Sequence, residues 1–167
     1  ALFSLNMLQI ALEIAKEDSS YEDMATKYFE HFVHIAESLN SLKEDGKSLW
    51  DEIDGFFFDM LIRPNNESIP LKTRSLVGLL TLSPAVVLTK ETLDALPGFK
   101  DRVNWFRNYR KNKGKYLVIE NYTEGEDIML ALVPKHRMQI LVSTLIDENE
   151  FLSDFGIRSL SQVHKKP

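Results

Sequence analysis

Three acids, Asp51, Asp54 and Asp59, crowd one short segment with Trp50 and the run Phe56-Phe57-Phe58. Carboxylates that hydrogen-bond hydroxyls or transfer protons, set beside flat apolar faces that cover C–H surface, are what a sugar site uses. The same segment also reads as a helix C-cap at Gly55 with aromatic core residues and solvated acids. His31 and His34 are three apart on one helix and could in principle share a metal. Their helix already commits Tyr28, Phe32 and Ile35 to packing, and no carboxylate at ligand spacing joins them, so a solvated or hydrogen-bonded pair is the expectation. No phosphate loop, dinucleotide fingerprint, His-Glu-x-x-His pair or Gly-x-Ser-x-Gly elbow occurs in the chain. Two glycosylation sequons, at Asn66 and Asn121, read as chance matches in a cysteine-free chain.

The composition limits the alternatives. A net charge of −5 and a pI near 5.4 argue against an overall basic, nucleic-acid-binding surface. With 44% hydrophobic and 27% charged residues, the chain is too apolar to be disordered. A protein of this size buries roughly 70% of its unfolded surface and does not rely on disulfides or metals for stability. Cysteine is absent, which excludes disulfides, thiol nucleophiles and Cys-rich zinc sites and fits a cytoplasmic compartment. The longest apolar stretch, Leu76–Leu88, is interrupted by Gly78 and Pro84 and falls well short of the roughly 20 residues of a membrane helix, so no membrane span is expected. Residues 1–60 carry 4 basic and 13 acidic side chains, against 16 and 12 in the remainder. Surplus acids on helix faces are ordinarily just solvated.

The elements that must position the Trp50–Asp59 cluster follow from periodicity. The chain opens directly in helical register without a capping residue, so Ala1 reads as a cut into a longer chain. Leu5, Leu8, Leu12 and Ala15 form one stripe of this first helix and Phe3, Met7, Ile10 and Ile14 another, which predicts burial on more than one face. Tyr21, Met24, Ala25, Tyr28, Phe32, Ile35, Ala36 and Leu39 predict a second, five-turn helix. A polar loop, Asn40–Lys47, leads into a helix–turn–strand around Gly55, closing at the Arg63–Asn66 turn. Arg74–Leu82 predicts a helix that Pro84–Leu88 continues, followed by a helical turn over Lys90–Leu96 and a helix over Phe99–Arg110. Tyr116–Glu120 and Asp127–Leu132 read as short strands, and Pro134 starts a last helix to about Ile146. A polar loop, Asp147–Gly156, and a polar tail follow. No internal repeat is present, which counts against tandem helical-repeat scaffolds.

Five ordered blocks carry a resemblance. They are Leu5-Asn6-Met7-Leu8 with Ile10-Ala11-Leu12-Glu13; Trp50-Asp51-Glu52 with Asp54-Gly55-Phe56-Phe57 and Asp59; Ser68-Ile69-Pro70-Leu71 with Arg74–Leu79; Leu96-Pro97-Gly98-Phe99; and Glu150–Ser153 with Phe155–Ser161. In this order they resemble the C-terminal catalytic region of glycoside hydrolase family 63-like proteins, which include mannosyl-oligosaccharide glucosidases and mannosylglycerate hydrolases. The resemblance implies a mainly α fold, a partial (α/α)6 toroid with short β-hairpin elements, and residues 1–167 as an internal segment of a single catalytic domain. It also implies inverting hydrolysis of an α-glycosidic bond by two carboxylic acids about 6.5–9.5 Å apart. The family's general-acid Asp and base Glu would fall before Ala1 and after Pro167, so no catalytic pair is assigned within the chain.

The implied substrate-binding residues are Trp50, Asp51, Asp54 and Asp59 in the aromatic turn, and Gly156, Arg158 and Ser159 in the last loop. Arg158 could hold a sugar hydroxyl, pair with a catalytic carboxylate, or form a structural salt bridge. Phe58 and Phe155 stand where the family usually has Tyr, which removes two hydroxyls. The implied partners are a carbohydrate and the remainder of the parent domain, with no metal or organic cofactor. Twelve helices of about 12 residues with connections of about 5 need roughly 200 residues, so the chain would form only an arc of such a ring. The alternative is a noncatalytic helical scaffold or a sugar-binding pseudoenzyme module.

Overall fold

The computed structural model describes residues 1–112, 119–121 and 126–165, apart from 41–47. The predicted Asn40–Lys47 loop and the start of the predicted Tyr116–Glu120 strand lie largely outside the described residues. The chain divides into two compact units, one from residues 1–41 and 84–134 and the other from 42–83 and 135–167.

The first unit is built on helices. α1 (Leu2–Ala15) and α2 (Glu22–Asn40) are joined by a 3-10 turn, where the Asp18 carboxylate accepts the Ser20 N–H at 3.0 Å. α1 buries Leu5, Leu8, Ala11, Leu12 and Ala15, whereas Phe3 is 77% exposed and Ile10 and Ile14 are exposed with it. The expectation of burial on more than one face is therefore corrected: within this structure one stripe packs and the other faces out. α3 (Leu76–Leu79), in the second unit, is a single turn. α4 (Lys90–Ala95) is capped by the Thr89 hydroxyl, and α5 (Pro97–Asn112) starts at a proline whose fixed φ suits the first helical turn. Phe29 of α2 meets Phe99 and Phe106 of α5 edge-on, with centroids 5.8 and 5.6 Å apart. The Glu22 carboxylate accepts the Phe99 N–H at 2.7 Å, which fixes the start of α5 on α2.

The second unit begins with two hairpins, β1 (Trp50–Asp51) with β2 (Phe56–Phe57) and β3 (Asp59–Ile62) with β4 (Ser68–Leu71). In the first unit β5 (Ala85–Leu88), β6 (Ile119–Asn121) and β7 (Ile128–Ala131) form an antiparallel sheet of order β5-β7-β6. The predicted continuation of a helix through Pro84–Leu88 is thus corrected. Pro84 cannot extend the helix, and the β-branched Val86 and Val87 pair with Leu130 and Met129 of β7. The predicted Arg74–Leu82 helix is shorter, comprising α3 and a 3-10 turn over Leu80–Leu82.

α6 (Lys135–Leu145) and a last hairpin, β8 (Leu152–Ser153) with β9 (Gly156–Ile157), complete the second unit. Phe56 stacks on Phe151 at 6.0 Å and meets Phe58 at 5.4 Å. Gly78 is required beside this cluster, because a Cβ there would lie 2.4 Å from the Phe56 ring.

The (α/α)6 toroid is overturned. Such a ring needs helical hairpin after helical hairpin, and among the described residues only α1, α2, α5 and α6 exceed ten residues. Only α1 and α2 follow one another as long helices, and the chain then turns into four small antiparallel sheets. The fold is a mixture of helices and small sheets, weighted weakly towards helix. Among the described residues no helix is long and apolar enough to cross a membrane.

Candidate functional site

The segment 50–57 is a hairpin, which corrects the expected helix–turn–strand. Trp50 pairs with Phe57 and Asp51 with Phe56, and Gly55 closes the turn at φ +58°, a conformation that favours glycine. Asp51 organises the turn. One carboxylate oxygen accepts the N–H groups of Ile53 and Asp54 at 2.9 and 3.0 Å, and the other meets the Lys72 ammonium at 2.7 Å. Lys72 also reaches Asp54 at 2.8 Å, so one cation ties both acids. Lys72 first, then the Asp54 N–H, holds the Asp51 carboxyl below its usual range, and the two acids raise the lysine in turn.

A cavity of about 430 Å³ opens beside this hairpin, with Trp50, Asp51, Glu52, Phe58, Met60 and Pro70 among its lining residues. Trp50 is only 4% exposed, its ring set edge-on against Phe57 at 4.9 Å. The Arg137 guanidinium sits 4.8 Å over the Trp50 ring and meets the Glu52 carboxylate at 2.8 Å. Arg137 is 2% exposed, while its partner Glu52 has a side chain 69% exposed. The buried indole N–H of Trp50 has no hydrogen-bond partner among the described residues. The indole N–H acts on Glu52 all the same: Trp50 first, and Arg137 after it, keep the Glu52 carboxyl below its usual range.

The structure brings Trp50, Asp51 and Asp54 together. Asp59 lies exposed on β3 opposite Leu71 and is not among the residues lining the cavity. Gly156, at φ +116°, lies in β9 of the last hairpin, and Ser159 lies in the bend that follows it. The Ser159 carbonyl accepts the Leu76 N–H at 2.9 Å. Arg158 directs its guanidinium to backbone carbonyls, those of Glu148 at 3.0 Å, Glu150 and Leu152, so its structural role is to staple the 148–152 loop.

That loop is joined to the aromatic hairpin through residues the sequence reading passed over. Arg74 pairs with Glu150, donates to the Asp54 carbonyl at 2.9 Å and lies 5.7 Å over the Phe56 ring. Glu150 also accepts the Ser161 hydroxyl, and the Arg74 N–H donates to the His164 Nε2 at 2.9 Å. Glu52, Arg74 and Glu150 stand inside the blocks that carry the resemblance. Arg137 had a signal of its own: it falls one turn before Leu141 on the buried face of α6. Lys72 had none.

The two histidines of α2 serve no shared site. His34 pairs with Glu37 at 3.5 Å and His31 meets the Tyr28 ring edge-on. Among the described residues no group of three side chains could hold a metal ion.

No family model matches the chain, and no solved structure matches it. The chain is similar to the uncharacterized protein YMR196W of Saccharomyces cerevisiae, with 42% identity over 99% of this chain. It spans 16% of the length of that curated relative.

Proposed function

We infer that this chain is a segment of an inverting α-glycosidase related to glycoside hydrolase family 63, acting on α-linked glucosides or mannosides of an oligosaccharide or small glycoside. The observation that carries the reading is the cavity beside the β1–β2 hairpin. It combines the carboxylate residues Asp51 and Glu52 with the apolar Phe58, Met60 and Pro70 in one place, and such groups grip a sugar's hydroxyls and its C–H face. In this reading the segment contributes sugar binding, and the acid and base that break the bond belong to other parts of the parent protein. The 167 residues alone then have no hydrolase activity. The parent should hydrolyse α-linked gluco- or manno-glycosides, and NMR of the first-formed product should show the opposite anomer. A product that keeps its configuration would sink the inverting mechanism.

A noncatalytic sugar-binding or scaffold module is the second reading, and one observation favours it. Asp51, Asp54 and Arg158 are all engaged by the chain's own groups, which is how residues that build a pocket behave. Replacement of either the upstream Asp or the downstream Glu in the parent, with no turnover of any α-glycoside, would decide for it.

A further inference from the structure

α1 carries apolar residues on two sides. Leu5, Leu8, Ala11, Leu12 and Ala15 fill the core of the first unit, while Phe3, Ile10 and Ile14 stay 77%, 52% and 40% exposed, with Met7 half-buried among them. Steps of four, three and four residues place these four side chains on one stripe, about 16 Å long at about 1.5 Å per residue. Asn6, Gln9 and Glu13, all exposed, form its polar border. A lone exposed apolar residue needs no explanation. A continuous stripe marks a contact surface, and a helix apolar on two sides is one that packs on two sides.

Spacing and extent together identify what covers it. Residues three and four apart make the ridge against which a second helix packs, whereas a strand presents side chains at period two. A strip about 16 Å long and about 10 Å wide falls far short of the roughly 800 Å² per partner that a stable interface between separate molecules buries, so it does not by itself hold a second copy. A segment of the same polypeptide needs no such area, because the covalent link supplies a high effective concentration. The similar yeast protein aligns with these residues over only 16% of its own length, so a parent of that size has ample chain to supply the segment.

We propose that Phe3, Met7, Ile10 and Ile14 form the docking face for an amphipathic helix contributed by the longer parent chain from outside residues 1–167. That helix lays apolar side chains, themselves three and four residues apart, along α1 and turns its polar side away. The face belongs to the first unit and the cavity to the second. The proposal shares with the glycoside reading the premise of a longer parent and nothing of its sugar chemistry.

The test is made in the full-length parent. With p-benzoylphenylalanine in place of Phe3, irradiation should give an adduct at the mass of a single chain. Peptide mass spectrometry should map it to a segment beyond these 167 residues with apolar residues at helical spacing. Ile10→Cys should react with a maleimide at least about tenfold more slowly than Gln9→Cys in the native parent, and at the same rate in denaturant. Equal native rates would show the stripe open to solvent and overturn the proposal. An adduct of doubled mass would replace the helix by a second copy, and one with another protein would make the face an intermolecular site. An adduct within residues 1–167, or on a peptide without helical apolar spacing, would be equally fatal. The photoadduct, formed with Ile10 intact, decides the matter if Ile10→Cys does not fold. A parent inactive on α-glycosides leaves the docking face standing, and a solvent-open stripe leaves the sugar reading standing, so the two fail separately.

Discussion

The two units hold themselves together by different means. In the first, α1, α2, α4, α5 and strands β5 and β7 enclose one continuous apolar cluster from Leu5 to Leu132 that includes Phe29, Phe99 and Phe106. Its notable buried polar side chain, Asn40, is satisfied by the carbonyls of Ala36 and Leu132, both at 2.7 Å. In the second, short hairpins surround a smaller set of aromatics, and the joints between them are ionic. Lys72 ties Asp51 to Asp54, Arg74 ties Asp54 to Glu150, and Arg137 ties Glu52 to the Trp50 ring. The candidate site lies in the second unit. Apolar burial is nondirectional and tolerates small shifts, whereas charge-assisted bonds fix geometry. A pocket that must hold carboxylates and an indole at set positions is accordingly built from the second kind of contact.

The contrast predicts the largest single loss in the helical unit. Phe29→Ala removes a ring packed against two others at a fully buried position and leaves a cavity, so it should cost about 3–5 kcal/mol in denaturant unfolding. With Trp105 and Trp50 as separate fluorescence reporters of the two units, the loss should register at Trp105. An equal loss at Trp50 would show that the units unfold as one, and the comparison would lose its meaning. Next comes Arg74→Met, which strands Glu150 with side chains that are 21% and 14% exposed in the wild-type pair. Removing one partner of a largely buried pair is strongly destabilising, here about 2–3 kcal/mol after allowance for the remaining solvent contact. That loss should register at Trp50, and a change under about 0.5 kcal/mol would show that aromatics alone hold the second unit.

The same contrast explains what was legible in the sequence. α2 was readable because its apolar residues recur at helical spacing, yet its buried face is Ala25, Phe29, Phe32, Val33 and Ala36, while the expected Met24 and Ile35 are exposed. The helix is apolar over more than one stripe, and Phe99 and Phe106, some seventy residues on, select which stripe is buried. In the second unit the decisive contacts join residues 76 and 85 positions apart, Arg74 with Glu150 and Arg137 with Glu52. No local period encodes such pairs. Trp50, Asp51 and Asp54 could be found from residue type alone, but Lys72, which determines what the two acids do, could not. The toroid expectation failed for a related reason: it came from matched blocks, and those blocks themselves fold largely into small hairpins, β1 with β2, β4 against β3, and β8 with β9.

A smaller effect probes the joint at Asp51. Asp51→Ala removes the acceptor of two backbone N–H groups and one ammonium, a loss of about 1–2 kcal/mol. Asp51→Asn keeps an acceptor for the turn and should recover part of it. Because Lys72 depresses the folded-state pKa of Asp51, its contribution is present above the unfolded carboxylate range and is lost as pH falls through the lower folded value. Acid unfolding of the second unit should therefore be steeper in the wild type than in Asp51→Asn. Parallel acid profiles would show that the ion pair adds nothing and that the turn hydrogen bonds alone carry the effect.

The smallest expected effect sharpens the comparison most, because it uses the same chemistry in the other unit. Asp94 is bonded by Lys100 and Lys90, both at 2.5 Å, and Lys90 also reaches Glu126 at 2.9 Å, so the surface of the helical unit carries an ionic cluster as dense as that around Lys72. Lys100, then Lys90, brings the Asp94 carboxyl down to about 2, so this cluster stays ionised until pH falls from near 4 towards 2. These groups, however, stand in solvent on top of a core that is complete without them, and exposed pairs in water contribute little. Lys100→Met should leave the unfolding midpoint of the helical unit almost unchanged and insensitive to salt. Lys72→Met, which frees two acids at the hairpin turn, should lower the Trp50-reported midpoint measurably. If the two substitutions proved equivalent, ionic contacts would be ornamental in both units. If they diverge, it is the smaller apolar core behind the charges, rather than the charges themselves, that makes the site-bearing unit depend on them.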